Sequence, residues 1–175
     1  MKFKEFSDKN ENVFNWIHKH LDLIDENAWD QVYEYLIRST QVYNKITEAF
    51  YQAGIEPLDY LDYVPEDYLS NNENIIEIEI PEHVKSINES AFYNCERIIE
   101  IELPKSIESI ADWSLAGMDN LRSIYIPGKL EYLGKLAIHD DDCLERIYSI
   151  AENREILFKN VSMLKDGRCK FVEVD

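Results

Sequence analysis

The sequence predicts an α+β repeat protein, in which an N-terminal helical segment caps a short solenoid with a parallel sheet and a C-terminal strand cap. Pro81, Pro104 and Pro127 recur with a 23-residue period, and the pattern apolar-x-x-apolar-x-apolar-Pro recurs around them. Residues 1 to 70 have helical spacing instead. Repeats of this length are typical of solenoids, in which each turn packs only on its neighbours.

Residues 1 to 70 are predicted to be helical. Apolar residues recur at helical spacing after Ser7, and further stretches do the same until Gly54 provides a C-terminal cap. Pro57 suits the first turn of a short helix, and Pro65 is expected to end regular structure before the repeats. We expect the segment between these prolines to cover the first repeat, because an unprotected solenoid end exposes core and unpaired strand groups.

Residues 71 to 150 are predicted to form the repeats. One strand of each unit directs alternate apolar residues into the core, and the return path adds columns of apolar and small residues. The strand segments start at Ile75, Ile98, Leu121 and Leu144, and the fourth copy decays. The return columns are Val84, Ile107 and Leu130; Ile87, Ile110 and Leu133; Phe92, Leu115 and Ile138; and the small residues Ala91, Ser114 and Ala137.

Residues 151 to 175 no longer fit the pattern and are predicted to cap the other end of the solenoid. Asp166-Gly167 is a hairpin signal, and the apolar residues around it favour two short strands. A flexible interaction tail is the alternative, but the large apolar side chains of this segment favour burial.

The chain is strongly acidic, with 35 acidic and 18 basic residues and a formal net charge of -17. The acidity is spread over the chain, since residues 1 to 70 carry a net charge of -8 and residues 71 to 150 carry -9. This charge argues against direct binding of nucleic acid or an anionic membrane. It favours a protein partner with a basic or nucleic-acid-binding surface, although a role in solubility is an equal alternative.

The outward-facing strand positions provide the candidate binding site. Stacked carboxylates repel each other by up to ~1 kcal/mol for a directly opposed pair, so a sequence selected for stability alone would alternate them. The tyrosines that follow are predicted to be aromatic anchors for a protein partner, and a solvated strand face is the alternative. The two columns are Glu77, Glu100, Ser123 and Arg146, and Glu79, Glu102, Tyr125 and Tyr148.

No catalytic, cofactor or metal site is predicted. The sequence has no Walker loop, Rossmann glycine pattern, nucleophile elbow or Cys-x-x-Cys pair. The run from His139 to Cys143 holds three aspartates, but a calcium site needs more oxygen ligands in a defined loop, so we interpret the run as a solvated turn. An enzyme that uses these aspartates or the glutamate columns is a third hypothesis, behind two binding functions.

The string IPEHVKSINESAFYNCERIIEIELPKSIESI resembles the leucine-rich repeat of the bacterial surface antigen (BspA-like) type, and the resemblance covers residues 75 to 148. Its most specific part is Ala91, Phe92, Asn94 and Cys95. The segment AGIEPLDYLDYVPEDYL with the repeats that follow is similar to small cytosolic proteins encoded by bacteriophages and mobile elements. The resemblance implies a binding scaffold and transfers no catalytic residues.

These observations predict a non-enzymatic protein-protein interaction module. The resemblance implies a phage-encoded inhibitor of a host defence protein or another host protein, and an acidic DNA mimic that blocks a nucleic-acid-binding protein is the alternative. We expect a cytoplasmic location, in the host if the protein is phage-encoded. The start MKFKEFSDKNENVF lacks the apolar run of a signal peptide, and no later segment suits a membrane span. The sequence does not predict the oligomeric state.

Overall fold

The computed structural model describes residues 57–59 and 61–175. The chain divides into two compact units, Met1–Tyr60 and Leu61–Asp175. In the first unit the structure describes a 3-10 helix at Pro57–Asp59, where the sequence predicts a short helix. The helices predicted before it lie outside the described residues. None of the described helices is long and apolar enough to cross a membrane.

The second unit is a solenoid in which all paired strands are parallel. The predicted repeat fold with a parallel sheet is therefore confirmed, and the return path forms a sheet of its own. The first sheet contains β1 (Tyr63–Val64), β2 (Ser86–Ile87), β4 (Ser109–Ile110) and β6 (Tyr132–Leu133). The second sheet contains β3 (Glu100–Glu102), β5 (Ser123–Ile126), β7 (Arg146–Ser149) and β8 (Lys170–Glu173).

The strand register keeps the 23-residue period. Ile87 pairs with Ile110, which pairs with Leu133, and the second sheet has the same offset between β3, β5 and β7. All twelve residues of the predicted return columns are buried, with at most 6 % of any side chain exposed. Each turn therefore contributes equivalent residues to one continuous apolar core, whose burial stabilises the fold.

A bend in the left-handed backbone region follows each strand of the first sheet. Backbone N–H groups of the bend donate to the next turn, as Phe92 does to the Ser114 carbonyl at 2.9 Å. Gly adopts this conformation freely and Asn and Asp tolerate it, whereas Ser90 and the bulky Trp113 are strained in it. The Trp113 ring makes edge contacts with the rings of Tyr93 and His139. The residues with positive φ are Asp67, Ser90 and Trp113, and Asn71, Asn94, Gly117 and Asp140.

The solenoid begins inside the segment that the sequence assigns to the helical part. Leu61 and Val64 are buried at the positions that Val84 and Ile87 occupy one turn later, and β1 pairs with β2. This short strand covers the edge of the first sheet, as expected of the segment, and it ends directly before Pro65. The repeat architecture therefore extends before residue 70, since Leu61 and Val64 repeat the apolar spacing of Val84 and Ile87.

The segment of residues 75–80 is predicted to be the first strand of the repeats, and this prediction is wrong. Ile80 is buried, whereas Ile75 and Ile78 are only half-buried, and no backbone hydrogen bond among the described residues joins this segment to β3. Both this segment and β3 carry two outward glutamates. Repulsion between like charges opposes the close approach that a strand ladder requires.

The C-terminal strand cap is present, but the predicted hairpin is wrong. The cap consists of α1 (Arg154–Asn160), α2 (Ser162–Lys165) and β8, which pairs in parallel with β7. Leu157, Val161 and Leu164 are buried at intervals of four and three residues, which is helical spacing rather than strand alternation. Gly167, with a φ of +73°, therefore follows a helix end and does not turn a hairpin.

The Asn153 side chain connects this cap to the preceding turn through three hydrogen bonds. Its Oδ1 accepts the Leu130 N–H at 2.8 Å, and its Nδ2 donates to the Gly128 carbonyl at 2.7 Å and to the Ser149 Oγ at 3.0 Å. The side chain is fully buried. A buried polar group that loses its hydrogen-bond partner costs about 1–3 kcal/mol, so these contacts contribute strongly to stability.

Replacing Asn153 by alanine is expected to lower the free energy of unfolding by about 2–5 kcal/mol, because two buried backbone groups lose their partner. Urea denaturation measures the change. Asn160→Ala is the control, since the Asn160 Nδ2 donates only to the Ile156 carbonyl within α1 and its loss should cost less than about 1 kcal/mol. Equal losses in the two variants would contradict a special role for Asn153.

Candidate functional site

The outer face of the second sheet carries a groove of about 880 Å³. It extends from residues 77–82 across β3 and β5 to β7. All eight residues predicted to bind a partner line it, so the structure brings the whole predicted site together; that they bind a partner stays a prediction. These residues are Glu77, Glu79, Glu100, Glu102, Ser123, Tyr125, Arg146 and Tyr148.

The strand register confirms the geometry of the two predicted columns from β3 onwards. Neighbouring members of a column are separated by the usual strand spacing of about 4.8 Å. Ser123 Oγ donates to Glu100 Oε1 at 3.1 Å, and the rings of Tyr125 and Tyr148 lie with centroids 6.5 Å apart. In register, one column contains Glu100, Ser123 and Arg146, and the other contains Glu102, Tyr125 and Tyr148.

The cap strand β8 extends each column by a further member that sequence reasoning missed. Lys170 pairs with Arg146, and Val172 pairs with Tyr148. Lys170 and Val172 lie one position beyond the 23-residue period counted from Arg146 and Tyr148, so the period does not predict them. Arg122 and the carboxylate Glu145 also line the groove, and Lys170 continues its column beyond β7. We call Glu77, Glu79, Glu100 and Glu102 the acidic end of the groove, and Arg122, Arg146 and Lys170 the basic end.

The acidic end lacks a cationic partner in the described part of the chain. All four of its glutamates are exposed, and none of them takes part in an ion pair within residues 61–175. Two exposed isoleucines flank it, Ile76 at 62 % and Ile99 at 53 % exposure. A partner that presents cationic and apolar groups would therefore find both unmatched charge and uncovered apolar surface here.

The double substitution Glu79→Gln/Glu102→Gln is expected to leave the free energy of unfolding unchanged or to raise it by up to about 1 kcal/mol, because it removes repulsion between carboxylates. Thermal and urea denaturation at low salt measure the change, and the gain should vanish in about 1 M salt, where charges are screened within about 3 Å. A clear loss of stability would mean that these carboxylates hold the fold together.

The acidic run that the sequence analysis interprets as a solvated turn contains one buried residue, so that interpretation is wrong for Asp141. Its Oδ1 accepts the Met118 N–H at 2.7 Å, and its Oδ2 is buried without a hydrogen-bond partner. Asp141 is fully buried in the column of Cys95 and Met118. Two periods of the repeat lead from Cys95 to Asp141, so the period alone predicts its burial.

Burial raises the pKa of Asp141 from 3.8 to about 8, and this effect exceeds that of the Met118 N–H, which lowers the pKa. The carboxylates of Asp140, Asp119 and Asp142 add a further increase. At neutral pH the group is therefore mostly protonated. Among the described residues, no group of three or more His, Cys, Asp or Glu side chains is placed to hold a metal ion.

The raised pKa predicts that stability falls as the pH rises. The folded state binds the Asp141 proton more tightly than the unfolded state does, so proton binding at Asp141 stabilises the fold. This stabilisation is fully present below pH 3.8 and is lost as the pH rises through about 8. Asp141→Asn keeps the acceptor for the Met118 N–H and cannot ionise. It should raise the free energy of unfolding at pH 8 by more than about 1 kcal/mol, at about 1.4 kcal/mol per pKa unit.

Urea denaturation at a series of pH values tests this expectation, and the decline in stability toward pH 8 should become flatter in the variant than in the wild type. Asp62→Asn is the control, because Asp62 is exposed and is not among the carboxylates that raise the pKa of Asp141. A decline of the same steepness in Asp141→Asn and the wild type would exclude Asp141 as its source.

Comparison with known proteins identifies the repeats. Residues 47–165 match the family described as "BspA type Leucine rich repeat region", in six copies. The crystal structure of a leucine-rich repeat protein from Bacteroides ovatus matches with a TM-score of 0.55 and 24 % sequence identity. That match covers 65 % of this chain and 28 % of the Bacteroides chain, and at this identity it shows the fold alone. Among curated proteins, none matches this sequence.

Proposed function

This chain belongs to the BspA type leucine-rich repeat family, and on that premise we propose that it is a non-enzymatic module that binds a protein partner in the groove of the second sheet. Leucine-rich repeats generally mediate protein-protein interaction. The observation that carries the proposal is the groove, which is lined by all eight predicted residues and whose acidic end lacks a cationic partner within residues 61–175.

The chemistry of the groove favours binding over catalysis. The four glutamates of the acidic end are exposed, whereas a carboxylate that acts as a general acid usually lies buried in a cleft. The half-buried Tyr125 and Tyr148 supply aromatic surface of the kind that is enriched at binding hot spots. Opposite charge on the partner would steer association and fix its orientation.

A narrower form of the proposal concerns the identity of the partner. The similarity of AGIEPLDYLDYVPEDYL to segments of small phage-encoded proteins suggests that the partner is a bacterial host protein and that binding in the host cytoplasm inhibits it. The net charge of -17 suggests that the surface of this partner is basic.

DNA mimicry is the second candidate function, and the spread acidity of the chain favours it. A mimic of the phosphate backbone would present carboxylates along its whole binding surface. The groove instead passes from glutamates to tyrosines and arginines, which favours a protein interface of defined shape. Competition of duplex DNA with this protein for a captured partner would support mimicry, whereas simultaneous binding of both would exclude it.

Charge reversal in the groove tests the proposed function. The variant Glu79→Lys/Glu102→Lys is expected to reduce affinity for the partner by at least about tenfold, because two favourable charge contacts become repulsive. Tagged wild-type and variant proteins would be used to capture partners from a bacterial lysate, and the affinity of each identified partner would then be measured with purified proteins.

The matched control is Glu108→Lys/Glu131→Lys, which changes the net charge equally at exposed positions beside β4 and β6 of the first sheet. The control should bind as the wild type does. Equal affinities of all three proteins would place the contact outside the groove, and equal losses in both variants would show that net charge alone governs binding.

A further inference from the structure

We infer that the partner presents a bipolar extended segment to the groove, with basic side chains at the acidic end and acidic side chains at the basic end. The inference rests on the proposed function and adds the chemistry of the bound segment. It is independent of the net charge of the chain, because it follows from the order of the charges along the groove.

Carboxylates predominate at one end of the groove and cations at the other, where Glu145 is the single lining carboxylate. The glutamates of the acidic end all lie on or before β3, and the cationic side chains of the basic end all lie after it. Arg146 and Lys170 pair with each other in register, so they repel and cannot neutralise each other. A uniformly basic segment would therefore be attracted at one end of the groove and repelled at the other.

The cations of the basic end remain available to a partner. Arg146 Nη1 lies 3.4 Å from Glu145 Oε2, but both side chains are half-exposed, and such surface pairs contribute little. Arg122 and Lys170 are exposed and take part in no ion pair within residues 61–175. A carboxylate of the partner would thus meet three cations against one carboxylate, Glu145, whose surface pairing with Arg146 is weak.

The strand spacing sets the distance between the opposite charges of the partner. Three strand steps separate β3 from β8, which corresponds to about 14 Å at about 4.8 Å per step. An extended chain rises about 3.3 Å per residue, so about four residues separate the basic and acidic side chains of the bound segment. Tyr125 and Tyr148 lie between the two ends and suit an aromatic or apolar residue at its centre.

Three synthetic peptides with blocked termini test the inference in NMR titrations with the full chain. The bipolar probe is Lys-Arg-Ser-Tyr-Ser-Asp-Glu, and its isomer Lys-Asp-Ser-Tyr-Ser-Arg-Glu has the same composition but mixes the charges at each end. The third probe, Lys-Arg-Ser-Tyr-Ser-Lys-Arg, is uniformly basic. We expect the bipolar peptide to bind at least about fivefold more tightly than the isomer, with shifts at both ends of the groove.

The variant Arg146→Glu/Lys170→Glu provides the second arm. It exchanges one like-charged pair on β7 and β8 for another and removes the weak surface pair between Arg146 and Glu145, so the fold should be retained. This variant should prefer the basic peptide to the bipolar one by at least about fivefold, the reverse of the wild type.

Equal binding of the bipolar peptide and its isomer to the wild type would overturn the inference, as would wild-type preference for the basic peptide. Neither result would affect the proposed function, which is tested separately by partner capture with the groove variant. Absence of binding by all three peptides would also overturn the inference. If, in addition, reversal of the acidic end left capture unchanged, the proposed function would fail as well.

Discussion

Backbone hydrogen bonding between successive turns is the interaction on which the rest of this structure depends. Successive turns are bonded through the first sheet and the bend, where Leu115 N–H donates to the Ala137 carbonyl at 2.9 Å, and from β3 onwards also through the second sheet. A change of turn length would move every following side chain out of its column. Inward residues one period apart therefore occupy equivalent positions in the core, and Phe92, Leu115 and Ile138 are all buried.

The same constraint explains what the sequence predicts well and what it does not. The period predicts the core columns and the outward columns of the second sheet, because both follow from the register. It fails where the spacing changes, as at Lys170, and where the strand-and-proline pattern is lost from the sequence, as in residues 52–58. Asp141 is different, since the period does predict its burial, and only the charged residues beside it in the sequence favoured the solvated interpretation.

Two of the predictions that the structure contradicts concern the C-terminal cap and the first predicted strand. A short apolar stretch such as that around Leu157 fits a helix or a strand, and only its position over the last turn decides between them. Residues 75–80 have the same sequence pattern as the strands that follow, but their glutamates face those of β3 and no backbone hydrogen bond within residues 61–175 joins them to it. Sequence pattern alone does not report that difference.

The outward residues of the groove determine whether a partner binds at one position along the stack or at several equivalent ones. A surface made of identical turns would let a partner bind equally well after a shift of one turn, about 4.8 Å along the stack. The inward columns are kept uniform by packing, so only the outward columns can remove this ambiguity. The change from Glu102 to Tyr125 and from Ser123 to Arg146 makes each shifted position electrostatically different. Specific binding requires that the partner has lower affinity at the shifted positions than at the correct one. The repeating backbone does not distinguish these positions, so the change of charge along the groove has to do so.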